Sequence, residues 1–203
     1  MDERTPEWWQ DAVAFLLEDE LLKDTVQKYG PYSISTKDNL FQTLIRSIVG
    51  QQISVAAADS IWNRLLAHLG EITPEHVLSK TQESIASCGV TRPKASYIYG
   101  LAEQSTHLID QPYNELSDEE IKKHLVSFRG VGPWTAEMML MFHFLRPDVF
   151  SIGDIGLVRA VEKLVPGVHS KEDILAIAER WKPYRTAASW YLWRTIDPEP
   201  VEY

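Results

Sequence analysis

The 203-residue sequence predicts an all-α protein. Apolar residues recur at helical spacing along most of the chain, whereas strand-like alternation is scarce. The helical stretches are interrupted by single Gly, Pro or polar clusters, with no repeat, low-complexity tract or Gly/Ser linker between them. With 44% apolar and 24% charged residues, the chain can bury a core of its own and divides into one or at most two compact domains. About ten helices are expected.

Pro6 suits the opening of the first helix, which carries Trp9, Val13, Leu16 and Leu17 on one side. After an acidic break, a second runs from Leu21 through Tyr29 and stops at Gly30-Pro31. Amphipathic segments follow over Asn39 to Val49, Val55 to Leu69, Pro74 to Ser79, Gln82 to Ser87 and Pro93 to His107. A helix pair around residue 130, a helix from about Ile155 to Leu164, and helices starting at Lys171 and Tyr184 complete the chain.

Composition removes several function classes. The chain opens with Asp2, Glu3 and Arg4 and holds no long apolar run, so neither a signal peptide nor a spanning helix is expected, and the expected location is intracellular. Cys88 is the single cysteine, which rules out an internal disulfide or a thiolate cluster within this sequence. The six histidines are scattered, without transition-metal spacing.

A net charge of −9 argues against a general nucleic-acid binder. The charge is unevenly spread, however. The first 24 residues hold eight acids against two bases, whereas Ile121 to Arg194 holds eleven bases against seven acids.

That basic segment contains Phe128-Arg129-Gly130-Val131-Gly132-Pro133-Trp134-Thr135-Ala136. Upstream, Ser117-Asp118-Glu119-Glu120 has capping-box spacing, and Ile121, Leu125 and Phe128 continue one helical face. Gly130 and Gly132 permit positive φ and close backbone approach, while Pro133 suits the first position of the next helix. The new helix would aim its unpaired N–H groups, including those around Gly130, Gly132 and Thr135, and its positive dipole end at an anion. The motif is thus helix, hairpin, helix with a phosphate seat; a plain tight turn between packed helices is the other reading.

Asp154, in Gly153-Asp154-Ile155, precedes an apolar helix and has the form of an N-cap. The same carboxylate could stabilise a developing positive charge and orient or deprotonate a water. Glycoside hydrolysis normally uses a second carboxyl to protonate the leaving group. Between Asp148 and Glu162, Asp154 is the only acid, which suits a leaving group that already carries positive charge.

Together the hairpin and the downstream aspartate resemble the helix-hairpin-helix DNA glycosylase superfamily, from about Leu40 to about Trp193, most closely the compact form of the 3-methyladenine DNA glycosylase II branch. The resemblance implies two helical lobes, 31–145 and 1–30 plus 146–203, with the active site in the cleft between them. It implies Asp154 as catalytic residue and a base pocket containing Trp134, Trp193 and Met138, the last where the family often has another aromatic. It implies a wedge loop at Gly50-Gln51-Gln52-Ile53-Ser54, with Gln52 (and Gln51 beside it) filling the space of an extruded base. Arg92 and Lys94 are candidate phosphate contacts from another loop, and main-chain oxygens around Phe128 and Val131 a candidate site for Na+ or K+. Trp134 stands where strand-cutting relatives carry a Schiff-base lysine, and the four cysteines of an iron–sulfur cluster are missing from this sequence. The implied activity is monofunctional excision of alkylated purines of the 3-methyladenine and 7-methylguanine type in base excision repair, leaving an abasic site. The implied partner is double-stranded DNA with damaged bases, bound by a monomer in the cytoplasm (nucleoid) of a prokaryote or the nucleus of a eukaryote. Uracil, hypoxanthine or oxidised bases on the same fold, or a non-catalytic DNA-binding module, are the alternative readings.

Overall fold

The structure, a computed structural model, describes residues 4–30 and 32–197. Among these the chain is all-α, with thirteen α-helices in the order α1 (Trp9–Leu17), α2 (Lys23–Tyr29), α3 (Leu40–Gly50), α4 (Val55–Leu69), α5 (Pro74–Leu78), α6 (Gln82–Ser87), α7 (Arg92–Glu103), α8 (Ser105–Ile109), α9 (Asp118–Val126), α10 (Pro133–Phe142), α11 (Ile155–Leu164), α12 (Lys171–Ala178) and α13 (Arg185–Ile196). Local chemistry starts most of them. Asn39, Ser54, Thr73, Thr81, Thr91, Ser117, Asp154 and Ser170 each accept a backbone N–H in the first helical turn. Each such cap contributes about 1 kcal/mol to its helix. The Ser117–Glu120 capping box forms in both directions, as its spacing predicts.

Two compact units share these helices. Among the described residues, one gathers those before Asn39 and those from Leu140 to Asp197; the other is Asn39–Met139. The limits fall later than 30 and earlier than 145 because both intervening segments are tied to the terminal unit. Arg4 and Thr36 exchange backbone hydrogen bonds of 2.9 Å, and the Trp8 indole donates to the Leu145 carbonyl at 2.8 Å.

In the terminal unit α13 is the central helix, in contact with α1, α2 and α11. It is buried nearly all round, from Thr186 through Leu192. Trp190 packs edge-on and Tyr191 tilted against Trp9, with ring centroids 5.8 and 6.1 Å apart. Such aromatic pairs contribute about 1 kcal/mol each beyond the area they bury. At its start, Arg185 holds Asp148 by two bonds of 2.6 and 3.0 Å, and Thr186 bridges the Arg146 carbonyl and the Val149 N–H. These contacts fix the chain that leads into Asp154.

The middle unit is organised on α7, which packs against α3, α5, α6 and α8 around Leu44, Ile48, Leu65, Ile85, Ile98 and Leu101. The helix expected over Pro93 to His107 is broken. Gln104 has φ −106° and ψ 17°, and both its backbone and side-chain N–H groups turn back to the Gly100 carbonyl, so a short second helix starts at Ser105. No Gly or Pro marks that break in the sequence.

Candidate active site

In the middle unit, α9 ends in the hairpin. Ile121, Leu125 and Phe128 are buried along one face, and the Phe128 carbonyl accepts the Val131 N–H at 3.1 Å to close the turn. Gly130 has φ +91°, and a Cβ there would lie 2.4 Å from the Tyr97 ring, so both backbone and packing demand glycine. Gly132 needs no positive φ. It faces open space, with nothing within 4 Å of a Cβ, the condition for close approach of a ligand. Pro133 then opens α10, whose first turn has no acidic residue. Arg129 is exposed, with its guanidinium 5.6 Å from the centre of the Tyr97 ring.

Three residues expected at the DNA face have partners inside the protein. The Lys94 ammonium donates to the Val49 and Gln51 carbonyls at 2.9 and 2.7 Å, and burial pushes its pKa below the ordinary lysine value. The Gln51 side chain donates to the Gly130 carbonyl at 3.1 Å and to the Thr135 hydroxyl at 2.9 Å. Thr135 is 1% exposed, so its side chain faces inward. Gln52 is different. It is exposed, adopts φ +59° and stands beside Ile53, itself 40% exposed, at the tip of the loop between α3 and α4. Arg92 is exposed at the start of α7. Trp134 is half-buried in the first turn of α10, and Met138, one turn on, is buried. The carbonyls of Phe128 and Val131 are hard oxygen donors, suited to an alkali cation. The Phe128 oxygen already accepts one hydrogen bond and keeps a second lone pair for such an ion. Among the described residues, no group of three or more His, Cys, Asp or Glu could hold a metal ion.

In the terminal unit, Asp154 caps α11 from extended backbone, φ −82° and ψ 113°. Its Oδ1 accepts the Leu157 N–H at 2.7 Å and the Trp193 indole N–H at 3.0 Å. The Trp193 ring lies nearly parallel to Phe142, interplanar angle 24° and centroids 6.0 Å apart. Gly156 completes the arrangement: a Cβ there would come to 3.1 Å from Asp154 Oδ1, 3.3 Å from Ile196 and 3.5 Å from Trp193. A glycine inside a helix costs about 1 kcal/mol relative to alanine, a signal of close packing that the sequence carried. Tyr97 and Phe142 left no such mark. Chemically, the arrangement presents a carboxylate in one fixed orientation at a helix N-terminus, beside a half-buried indole.

The family described as "HhH-GPD superfamily base excision DNA repair protein" matches residues 45–184. The chain belongs to this superfamily. It is 32% identical over 178 residues to DNA-3-methyladenine glycosylase 1 of Schizosaccharomyces pombe, covering 84% of this chain and 78% of that protein. DNA-3-methyladenine glycosylase 2 of Escherichia coli is 30% identical over 80% of this chain, which spans 60% of that longer protein. Among solved structures, the S. pombe 3-methyladenine DNA glycosylase in complex with abasic DNA superposes with TM-score 0.82 and 32% identity, covering 91% of this chain and 96% of that one. A DNA-3-methyladenine glycosidase from Bacillus halodurans superposes with TM-score 0.76 and 31% identity, covering 100% of this chain and 97% of that one.

Proposed function

We propose that this protein is a monofunctional DNA glycosylase that releases alkylated purines of the 3-methyladenine and 7-methylguanine type from duplex DNA, leaving an abasic site. The observation that carries the reading is the Asp154 carboxylate, held through one oxygen by a helix N–H and an indole N–H. As the bond from C1′ to the base breaks, the sugar takes on oxocarbenium character and Asp154 stabilises that charge electrostatically. Asp154 then orients or deprotonates the water that attacks C1′. A methylated purine that is already cationic departs without a proton from the protein, so one carboxylate suffices.

Trp193 supplies an aromatic face for an electron-poor base, an attraction of roughly 0.5–2 kcal/mol. Trp193 has a second role, because its indole N–H also fixes Asp154. Tryptophan at position 134 has no amine for a Schiff base, so strand cleavage is not expected. The N–H groups around Gly130 and Gly132 grip a phosphate, with Arg92 of the same unit as a further cation, and the Phe128 and Val131 carbonyls hold Na+ or K+ that adds positive charge there. The enzyme acts as a monomer wherever the cell keeps its chromosomal DNA.

Single-turnover incubation with methylated duplex, followed by chromatography of the released bases and denaturing electrophoresis of the strands, tests this. Free methylpurines with intact strands are expected. Release only of uracil, hypoxanthine or an oxidised base from single-lesion duplexes would replace the substrate class, and nicks formed without alkali would overturn the monofunctional assignment.

A further inference from the structure

We propose that Lys94 and Gln51 form a strut that makes the wedge loop and the phosphate-gripping hairpin one rigid part, so that seating the hairpin on the backbone sets the position of Gln52. The proposal rests on the glycosylase reading for the roles of the two loops; the strut itself rests on geometry. α3 ends at Gly50, leaving its last carbonyls without intrahelical partners. The Lys94 ammonium, reaching from the first turn of α7, satisfies two oxygens at this end, Val49 at 2.9 Å and Gln51 at 2.7 Å. A half-buried cation on two carbonyls holds the backbone more firmly than neutral bonds would.

From the same residue the Gln51 side chain crosses to the hairpin, donating to the Gly130 carbonyl at 3.1 Å and to the buried Thr135 hydroxyl at 2.9 Å. Gly130 is the residue whose φ of +91° shapes the hairpin, and Thr135 lies in the first turn of α10. The next residue after Gln51 is Gln52, in the left-handed region at φ +59° with its side chain exposed. A glutamine in that conformation is strained, and it persists when its surroundings over-determine it. Lys94 on one side and the hairpin on the other supply that constraint. Lys94 and Gln51 are therefore positioning residues for the wedge, and neither needs to touch DNA.

The test measures wedge insertion separately from chemistry, with a duplex carrying an abasic-site analogue and 2-aminopurine on the opposite strand. The wild type is expected to bind and to change the 2-aminopurine fluorescence as Gln52 enters the stack. Lys94→Met keeps the aliphatic stem and removes the donor. It is expected to bind the duplex while losing the fluorescence change, and to release methylpurines from duplex roughly tenfold to a hundredfold more slowly, the range for losing a hydrogen bond from a charged donor. Lys94→Arg, which can span both carbonyls, is expected to restore insertion. If Lys94→Met does not fold, Gln51→Ala cuts the strut at its hairpin end and is expected to lose insertion in the same way. Insertion at the wild-type level in Lys94→Met or Gln51→Ala would overturn the proposal. Insertion by the wild type with no release of any base would instead overturn the glycosylase reading and leave the strut standing.

Discussion

Two helix N-termini in this molecule, at α10 and α11, use the same physical device in opposite ways. At α11 the terminus is filled by the chain's own carboxylate: Asp154 accepts the Leu157 N–H, and Trp193 and Gly156 fix its orientation. At α10 the residues before the helix are Gly130, Val131 and Gly132, the first turn holds no acid, and the space beside Gly132 is open. A helix terminus with its own anion presents a reactive group in one orientation, whereas one approached through bare backbone presents N–H groups to an anion from outside. On the proposed reading the difference separates chemistry from grip, with a catalytic carboxylate and a phosphate seat built from the same local geometry by changing which residue precedes the helix.

The α10 terminus is most sensitive at Gly130. Gly130→Ala combines left-handed strain with a 2.4 Å clash against Tyr97. It is expected to cost about 4 kcal/mol by thermal unfolding and to weaken duplex binding. Tyr97→Ala in the same chain should recover the clash part alone, and full recovery would show that φ is irrelevant. Acid separates the units in another way. Burial pushes the His143 imidazole in the terminal unit down to about 4, with Asp38 opposing and Arg4 reinforcing the shift. Between that value and the ordinary 6.5 the unfolded chain binds a proton that the folded chain resists. Stability is therefore complete above this window and falls as pH drops through it, by up to about 3 kcal/mol. Denaturant melts of His143→Leu should lose that dependence.

Two smaller effects sharpen the α11 side. Trp193→Phe keeps an aromatic face and removes the indole N–H; single-turnover release is expected to fall by roughly tenfold or more, with binding of abasic duplex retained. Gly156→Ala should leave stability nearly unchanged, since the gain in helix propensity offsets the crowding. A displacement of Asp154 by a few tenths of an ångström should slow release roughly threefold to tenfold. An unchanged rate would show that the contact with Asp154 Oδ1 does not constrain chemistry.

What the sequence revealed was the local part of this design. The capping box at Ser117, Pro133 opening α10 and Asp154 capping α11 are set by residues within a turn of one another, and all are present in the structure. Pairings across long separations were not legible. Lys94 reads as a candidate phosphate contact until Val49 and Gln51, more than forty residues earlier, are seen to hold it. Trp193 reads as a pocket aromatic, but its bond to Asp154 spans 39 residues and gives it a second role. The break at Gln104 was equally hidden, because a glutamine folding back on a carbonyl leaves no Gly or Pro signal.

The most direct test of the division between grip and chemistry is to compare wild type and Asp154→Asn for binding to abasic-analogue duplex and for release of methylpurines from methylated duplex. Asparagine keeps an oxygen for the Leu157 and Trp193 N–H groups but removes the charge. Binding should be retained while release falls by roughly two to four orders of magnitude. Release at the wild-type rate by Asp154→Asn would show that the terminus filled by the chain's own anion is not the one that does the chemistry.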